Sequence, residues 1–143
     1  AHLLADVTAY VTGDGAAVTT HGLFVPLTPT RVFDTRPGEP APGPKGAVGA
    51  RSTVRTAIAG TGGVPSDAAA VLLNLTATDV AGPGFVTTWP TGLDRPLAST
   101  LNPTAGDTRA NATLVRLGTG GRLDHFSLTR THLLADVAGY VVA

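Results

Sequence analysis

Cysteine is absent from the 143 residues, so neither a disulfide staple nor a thiolate metal site is open to this chain, although an oxidising compartment is not thereby excluded. Methionine is absent too. The chain therefore has no translation start of its own, and a longer protein extending upstream is expected. Charge is scarce: 14% of residues are charged, the formal net charge is zero, and Lys45 and Glu39 are the only lysine and the only glutamate. Such a surface offers no basic field to nucleic acid or anionic lipid, and partners of both kinds are excluded. Long apolar runs are missing as well. Asp, Thr or Gly interrupts each one well short of the roughly 20 residues that cross a bilayer, so membrane insertion is not expected.

Reaction centres are also missing from the sequence. It contains no Gly-x-Ser-x-Gly elbow, no Walker loop and no His-Glu-x-x-His, and Ser52, Ser66, Ser99 and Ser127 sit in ordinary strand or turn contexts. None of His2, His21, His125 and His132 has a partner at metal-ligand spacing. Asp14, Asp67, Asp79, Asp94 and Asp107 all fall in turns. Short polar side chains are favoured there for local hydrogen bonding, whereas Ca²⁺ needs carboxylates converging on one point. These patterns predict no catalytic residues, no metal and no cofactor.

What the chain does contain is a repeat. His2-Leu3-Leu4-Ala5-Asp6-Val7 recurs as His132-Leu133-Leu134-Ala135-Asp136-Val137, and Tyr10-Val11 recurs as Tyr140-Val141, an offset of 132 − 2 = 130 residues. A repeat separated by almost the whole chain reads as the period of a tandem array. On that reading residues 1–12 are the terminal strand of a preceding repeat, and residues 13–143 are one complete unit. At this length one core is expected, because folded chains of this size bury roughly 70% of their unfolded surface.

Period-two alternation of Val, Leu, Thr, Phe and Tyr between Gly, Pro and Asp punctuation predicts an all-β fold. An antiparallel β-sandwich is the first expectation, with a β-barrel or β-trefoil as alternatives. Strands are expected at 3–11, 16–20, 30–36, 53–59, 69–78, 84–89, 98–102, 111–117, 122–128 and 132–142. Gly13-Asp14-Gly15, Gly82-Pro83-Gly84, Thr91-Gly92 and Gly118-Thr119-Gly120-Gly121 provide the turns. Alternation assigns Val71, Leu73, Leu75 and Ala77 to the core, together with Leu133, Ala135, Val137, Gly139 and Val141. The Pro-rich stretch 37–49 cannot donate a regular ladder and is expected to be an exposed, mobile loop.

Pro29-Thr30-Arg31-Val32-Phe33-Asp34-Thr35-Arg36, Val64-Pro65, Asn74-Leu75-Thr76-Ala77-Thr78, Gly84-Phe85-Val86-Thr87, Trp89-Pro90, Pro96-Leu97-Ala98-Ser99, Leu101-Asn102, Arg109-Ala110-Asn111 and the His-Leu-Leu-Ala-Asp-Val ending occur together over the whole chain. In this combination the chain resembles the repeat modules of about 130 residues in large secreted or cell-wall-associated proteins of actinobacteria and other soil bacteria. The resemblance implies an extracellular location, neighbouring repeats of the same chain as partners, and no catalytic residue set to carry over. The expected function is that of a non-catalytic structural or adhesive module of a surface protein.

The alternative is a lectin-like, carbohydrate-binding module directed at a glycan or cell-wall polymer. Asp and Asn are uncommon in strands, and a buried unpaired carboxylate costs several kcal/mol. Asp34, Arg36, Asn74 and Asn111 are therefore the polar candidates, either as a network fixing strand register or as a shallow ligand site. Trp89, the single tryptophan, is either a core plug or a face on which a sugar stacks.

Overall fold

The computed structural model describes residues 1–10, 12–17 and 19–143. Seven strands follow one another with no helix between them: β1 (Phe24–Asp34), β2 (Ser52–Ala57), β3 (Ala70–Thr78), β4 (Val86–Pro90), β5 (Arg109–Arg116), β6 (Arg122–Ser127) and β7 (His132–Val141). They form two antiparallel sheets, ordered β1-β7-β3-β5 and β2-β6-β4. The sheets pack face to face as a β-sandwich. β1 begins at Phe24, earlier than alternation predicted, and runs through Pro26 and Pro29. Because β1 is an edge strand, the missing proline N–H groups leave no gap in an interior ladder.

The core lies between the sheets. Val71, Leu73, Leu75 and Ala77 of β3 are all fully buried, as their alternation required. Leu133, Ala135 and Val137 of β7 meet them, but the same alternation fails beyond Val137. Leu72 pairs with Gly139 and Leu73 with Val137, so Ala138 is an extra residue, a β-bulge that exchanges the two faces of the strand. Tyr140 consequently packs against the core, while Val141 leaves it for the outer surface beside Ala70 and Leu72. In β1 a second irregularity, between Arg31 and Phe33, accompanies burial of Val32, Phe33 and Asp34 in succession.

Three expected strands do not form among the described residues. Residues 1–10 carry no strand, and Leu3, Leu4, Val7 and Tyr10 are at least 86% exposed. Their sequence suits the slot between β1 and β3, but β7 already occupies it, and an isolated strand cannot satisfy its backbone. Val11 lies outside the described residues, as does Val18 in the expected strand 16–20, whose described residues form no ladder. In 98–102 only Leu101 makes a bridge, to Val86.

The Pro-rich loop is held down. The Lys45 ammonium donates to the carbonyl oxygens of Asp34, Glu39 and Ala41 at 2.8, 2.9 and 2.8 Å. A single cation thus gathers carbonyls that prolines leave without ladder partners. Replacing it, Lys45→Met, is expected to speed proteolytic nicking within 37–47 while leaving the sandwich folded, as followed by limited proteolysis and circular dichroism.

His125 is the one histidine fully enclosed in the core. Its Nε2 and Nδ1 lie 2.8 Å from the hydroxyls of Thr56 on β2 and Thr88 on β4, and its ring sits 4.9 Å from that of Phe33. Burial pushes its pKa down to about 4, with the nearby Asp124 charge opposing only in part. The unfolded chain binds this proton near pH 6.5 and the folded chain does not, so stability is complete above pH 6.5 and falls as pH drops towards 4. The loss amounts to roughly 3 kcal/mol, a large share of the 5–15 kcal/mol typical of a domain. Urea unfolding from pH 7.5 to 4.5 is expected to show this slope, and His125→Gln should flatten it.

Candidate functional site

The five candidate residues separate into two places. Asp34 and Arg36 sit at the end of β1, with Asn74 on the outer face of the same sheet. Asp34 is fully buried, and both carboxylate oxygens are taken. Arg36 donates from its backbone N–H (3.0 Å) and Nε (3.1 Å) to Oδ1, and from Nη2 (2.7 Å) to Oδ2; Arg31 Nη1 donates to Oδ2 at 3.1 Å. Arg31 reaches across the ladder with its remaining donors and grips Asp136 of β7 through Nε and Nη2 at 2.9 and 3.1 Å. One guanidinium therefore joins β1 to β7 by a bidentate pair, the geometry that suits arginine better than lysine. Asp136 lies opposite Asn74 in the register, which places the exposed Asn74 beside this network.

Thr35 completes the joint. Its hydroxyl oxygen accepts the Leu133 N–H at 2.9 Å and lies 3.1 Å from His132 Nδ1. Burial alone would raise the Asp34 carboxyl, but the hydrogen bonds from Arg36 and the charges of Arg36 and Arg31 outweigh it and hold the pKa below the usual range. The arrangement fixes register and leaves Asp34 no lone pair facing solvent. Asp124 of β6 is used similarly: Arg55 donates to it through Nε at 2.6 Å and Nη2 at 3.1 Å, and the Thr91 hydroxyl at 2.9 Å.

Trp89 and Asn111 belong to the second place, a groove of about 570 Å³ between β4 and β5. Its rim is the segment 91–100, which crosses the small sheet like a strap. The strap is tied by Trp89 Nε1–H to the Leu93 carbonyl (2.9 Å), the Thr87 hydroxyl to the Ala98 carbonyl (3.1 Å), and the Thr88 N–H to the Thr100 hydroxyl (3.0 Å). Arg95 lies over the Phe126 ring at 3.7 Å from its centroid, a cation–π contact on the same face. Trp89 is only 7% exposed and its indole N–H is engaged, so it serves as the anchor for the strap. Asn111 is exposed at the groove edge and donates through Nδ2 to the Thr100 carbonyl at 3.0 Å.

Thr88, Thr100 and Thr113, which no sequence motif singles out, and Ser99, expected in an ordinary context, line this groove with Arg116. The strap adds Ser99 and Thr100 to Thr88 of β4 and to Thr113 and Arg116 of β5, and no local spacing announces a strap. The groove's polar character is neutral apart from Arg116 and the neighbouring Asp6, a surface suited to hydroxyl or amide ligands rather than to a strongly charged one. Among the described residues no three His, Asp or Glu side chains gather as a metal site.

Removing the enclosed carboxylate, Asp34→Ala, leaves two guanidiniums without their shared partner. Each is about one-third exposed, so solvent compensates in part, and the expected cost is roughly 2 kcal/mol, below the 3–5 kcal/mol of a fully buried pair. Below about pH 4 the difference between variant and parent should shrink, because the parent carboxylate then protonates and its contribution is lost as pH falls through the depressed folded value. Chemical denaturation of both proteins at pH 7 and pH 3 checks both statements.

Neither a protein-family model nor a curated protein sequence matches this chain.

Proposed function

We propose that the chain is a non-catalytic structural or adhesive module of a tandem-repeat surface protein, working in a secreted or cell-wall setting. The observation that carries the reading is the unplaced copy of β7. His2–Tyr10 repeats the strand that locks the large sheet, yet it joins neither sheet, because β7 fills the slot between β1 and β3 that its sequence suits. A preceding unit offers such a segment a natural place. The disposition of the reactive side chains agrees: His125 is sealed between two threonines, and Asp34 and Asp124 are spent on arginines that join strands. The extracellular setting follows from the family resemblance.

The neutral groove beside Asn111 supports a second reading, a weak carbohydrate site, in which strap hydroxyls and the Asn111 amide would meet sugar hydroxyls. The covered indole of Trp89 weighs against it, since stacking on a sugar needs an open aromatic face.

Two measurements separate these readings. A chain lacking residues 1–12 is expected to melt at the same temperature as the parent; a clear loss of stability would make the segment part of this unit and remove the argument for an array. On a glycan panel at high protein density, where avidity reveals weak sites, no binding is expected. Reproducible binding abolished by Asn111→Ala, an exposed position, would replace the structural reading with the lectin-like one.

A further inference from the structure

β7 is the keystone of the large sheet: its removal would strand β1 on one side and β3 on the other. The slot it fills recognises particular side chains. Arg31 takes an Asp, Thr35 takes a His, and the core takes Leu, Ala and Val at alternate positions. His2-Leu3-Leu4-Ala5-Asp6-Val7 presents the same groups in the same order, and Tyr10 matches Tyr140. A second segment with the credentials of β7 is therefore covalently attached to the slot.

It is also within reach. Val11 corresponds to Val141, which pairs with Phe24, so entry of the copy would make it the first arm of a hairpin with β1, closed by residues 12–23. A connector of this length gives an effective concentration in the millimolar range. Thr8, Ala9 and Tyr10 already lie in a groove shared with Phe24, Leu72 and Val141.

The two segments differ at two positions: Thr8 stands for Ala138, and Ala9 for Gly139. Ala138 is the bulge residue and has no ladder partner on β3. Gly139 is different. A methyl group there would overlap the Phe24 ring, with Cε2 at 2.6 Å, and would lie 2.8 Å from the Val25 carbonyl oxygen. The half-exposed ring can swing aside, but the carbonyl is backbone of the neighbouring strand and cannot.

We propose that the slot between β1 and β3 is a strand-binding site with two claimants in one chain, β7 and His2–Tyr10, and that the Gly139/Ala9 difference decides between them. The side-chain identities make the copy a competitor, and a single methyl group keeps it out. In an array this contact stops a unit from accepting its neighbour's strand in place of its own. The inference rests on the identity of the two segments and on the crowding around Gly139, not on the structural-module reading, which survives if the competition fails.

The test removes the methyl group. Ala9 is exposed and belongs to neither sheet, so Ala9→Gly cannot unfold the sandwich. Segment-resolved hydrogen exchange of the parent is expected to show 132–141 protected and 2–10 unprotected. In Ala9→Gly, protection should appear in 2–10 and decline in 132–141, in on the order of a tenth of the molecules or more, at every protein concentration. Exchange identical to the parent in both segments overturns the proposal. Exchange that grows with concentration also overturns it, because a second copy would then be supplying the strand. Adding Asp6→Lys to Ala9→Gly should restore the parent pattern, since the copy then meets Arg31 with a like charge. Protection of 2–10 that persists in this double variant would place the segment somewhere other than the slot, and the proposal would fail.

Discussion

Arg31 holds two carboxylates at once, and the arrangement of the large sheet depends on that grip. Through Asp136 it fixes β7 against β1, and through Asp34 it fixes the point where β1 gives way to the Pro-rich loop. Isolated surface ion pairs contribute little, but here Asp34 is out of water and its partners are preordered by neighbouring strands. The consequence is specificity of register more than strength. A one-residue slip would turn the Leu133, Ala135 and Val137 side chains outward and leave the Asp34 carboxylate buried with fewer donors. Lys45, Thr35 and Arg36 extend the same joint into the loop, so the Arg-Val-Phe-Asp-Thr-Arg stretch reads as the fastening of the fold.

The small sheet adds a neutral fastening on its core side to the Arg55–Asp124 pair. His125 takes both its partners from threonine hydroxyls on the flanking strands, where an ion pair in the same place would need desolvating. The result is a polar tie that holds at neutral pH and loosens in acid. The strap 91–100 closes the outer face of this sheet over Trp89 and thereby shapes the groove beside Asn111.

Much of the fold was legible because alternation reports burial wherever strands are regular. β3 shows this best, with four alternate apolar residues all at the core. Alternation misled in β7, where the bulge at Ala138 reverses the faces, and nothing local distinguishes a bulged alanine from a regular one. It misled again at residues 3–10, for a different reason: strand character is a property of a pair, and the partner edges of the matching slot were already taken. His125 shares a face with Leu123, so alternation carries its burial as well, although the alternation there is interrupted by charged and polar neighbours. Of the candidate site, the need of a buried Asp34 for donors followed from the cost of a buried charge, but their supply by Arg36, two residues on, and by Arg31 did not. The sealing of Trp89 did not, because it depends on a carbonyl four residues on, in a loop whose path no periodicity describes.

Chain entry and exit lie side by side. Gly22 N–H donates to the Val142 carbonyl and Val142 N–H to that of Leu23, so the polypeptide arrives and departs at the same end of the β1–β7 pair. Tension applied through the two ends would load that antiparallel ladder one hydrogen bond at a time, peeling it open from Leu23 towards Asp34, instead of shearing all its bonds together. Resistance would stay low until the peeling reached Arg31 and Asp136, where the bidentate pair would act as a stop. A string of such units would behave as an extensible tether that yields early and in steps, not as a stiff rod.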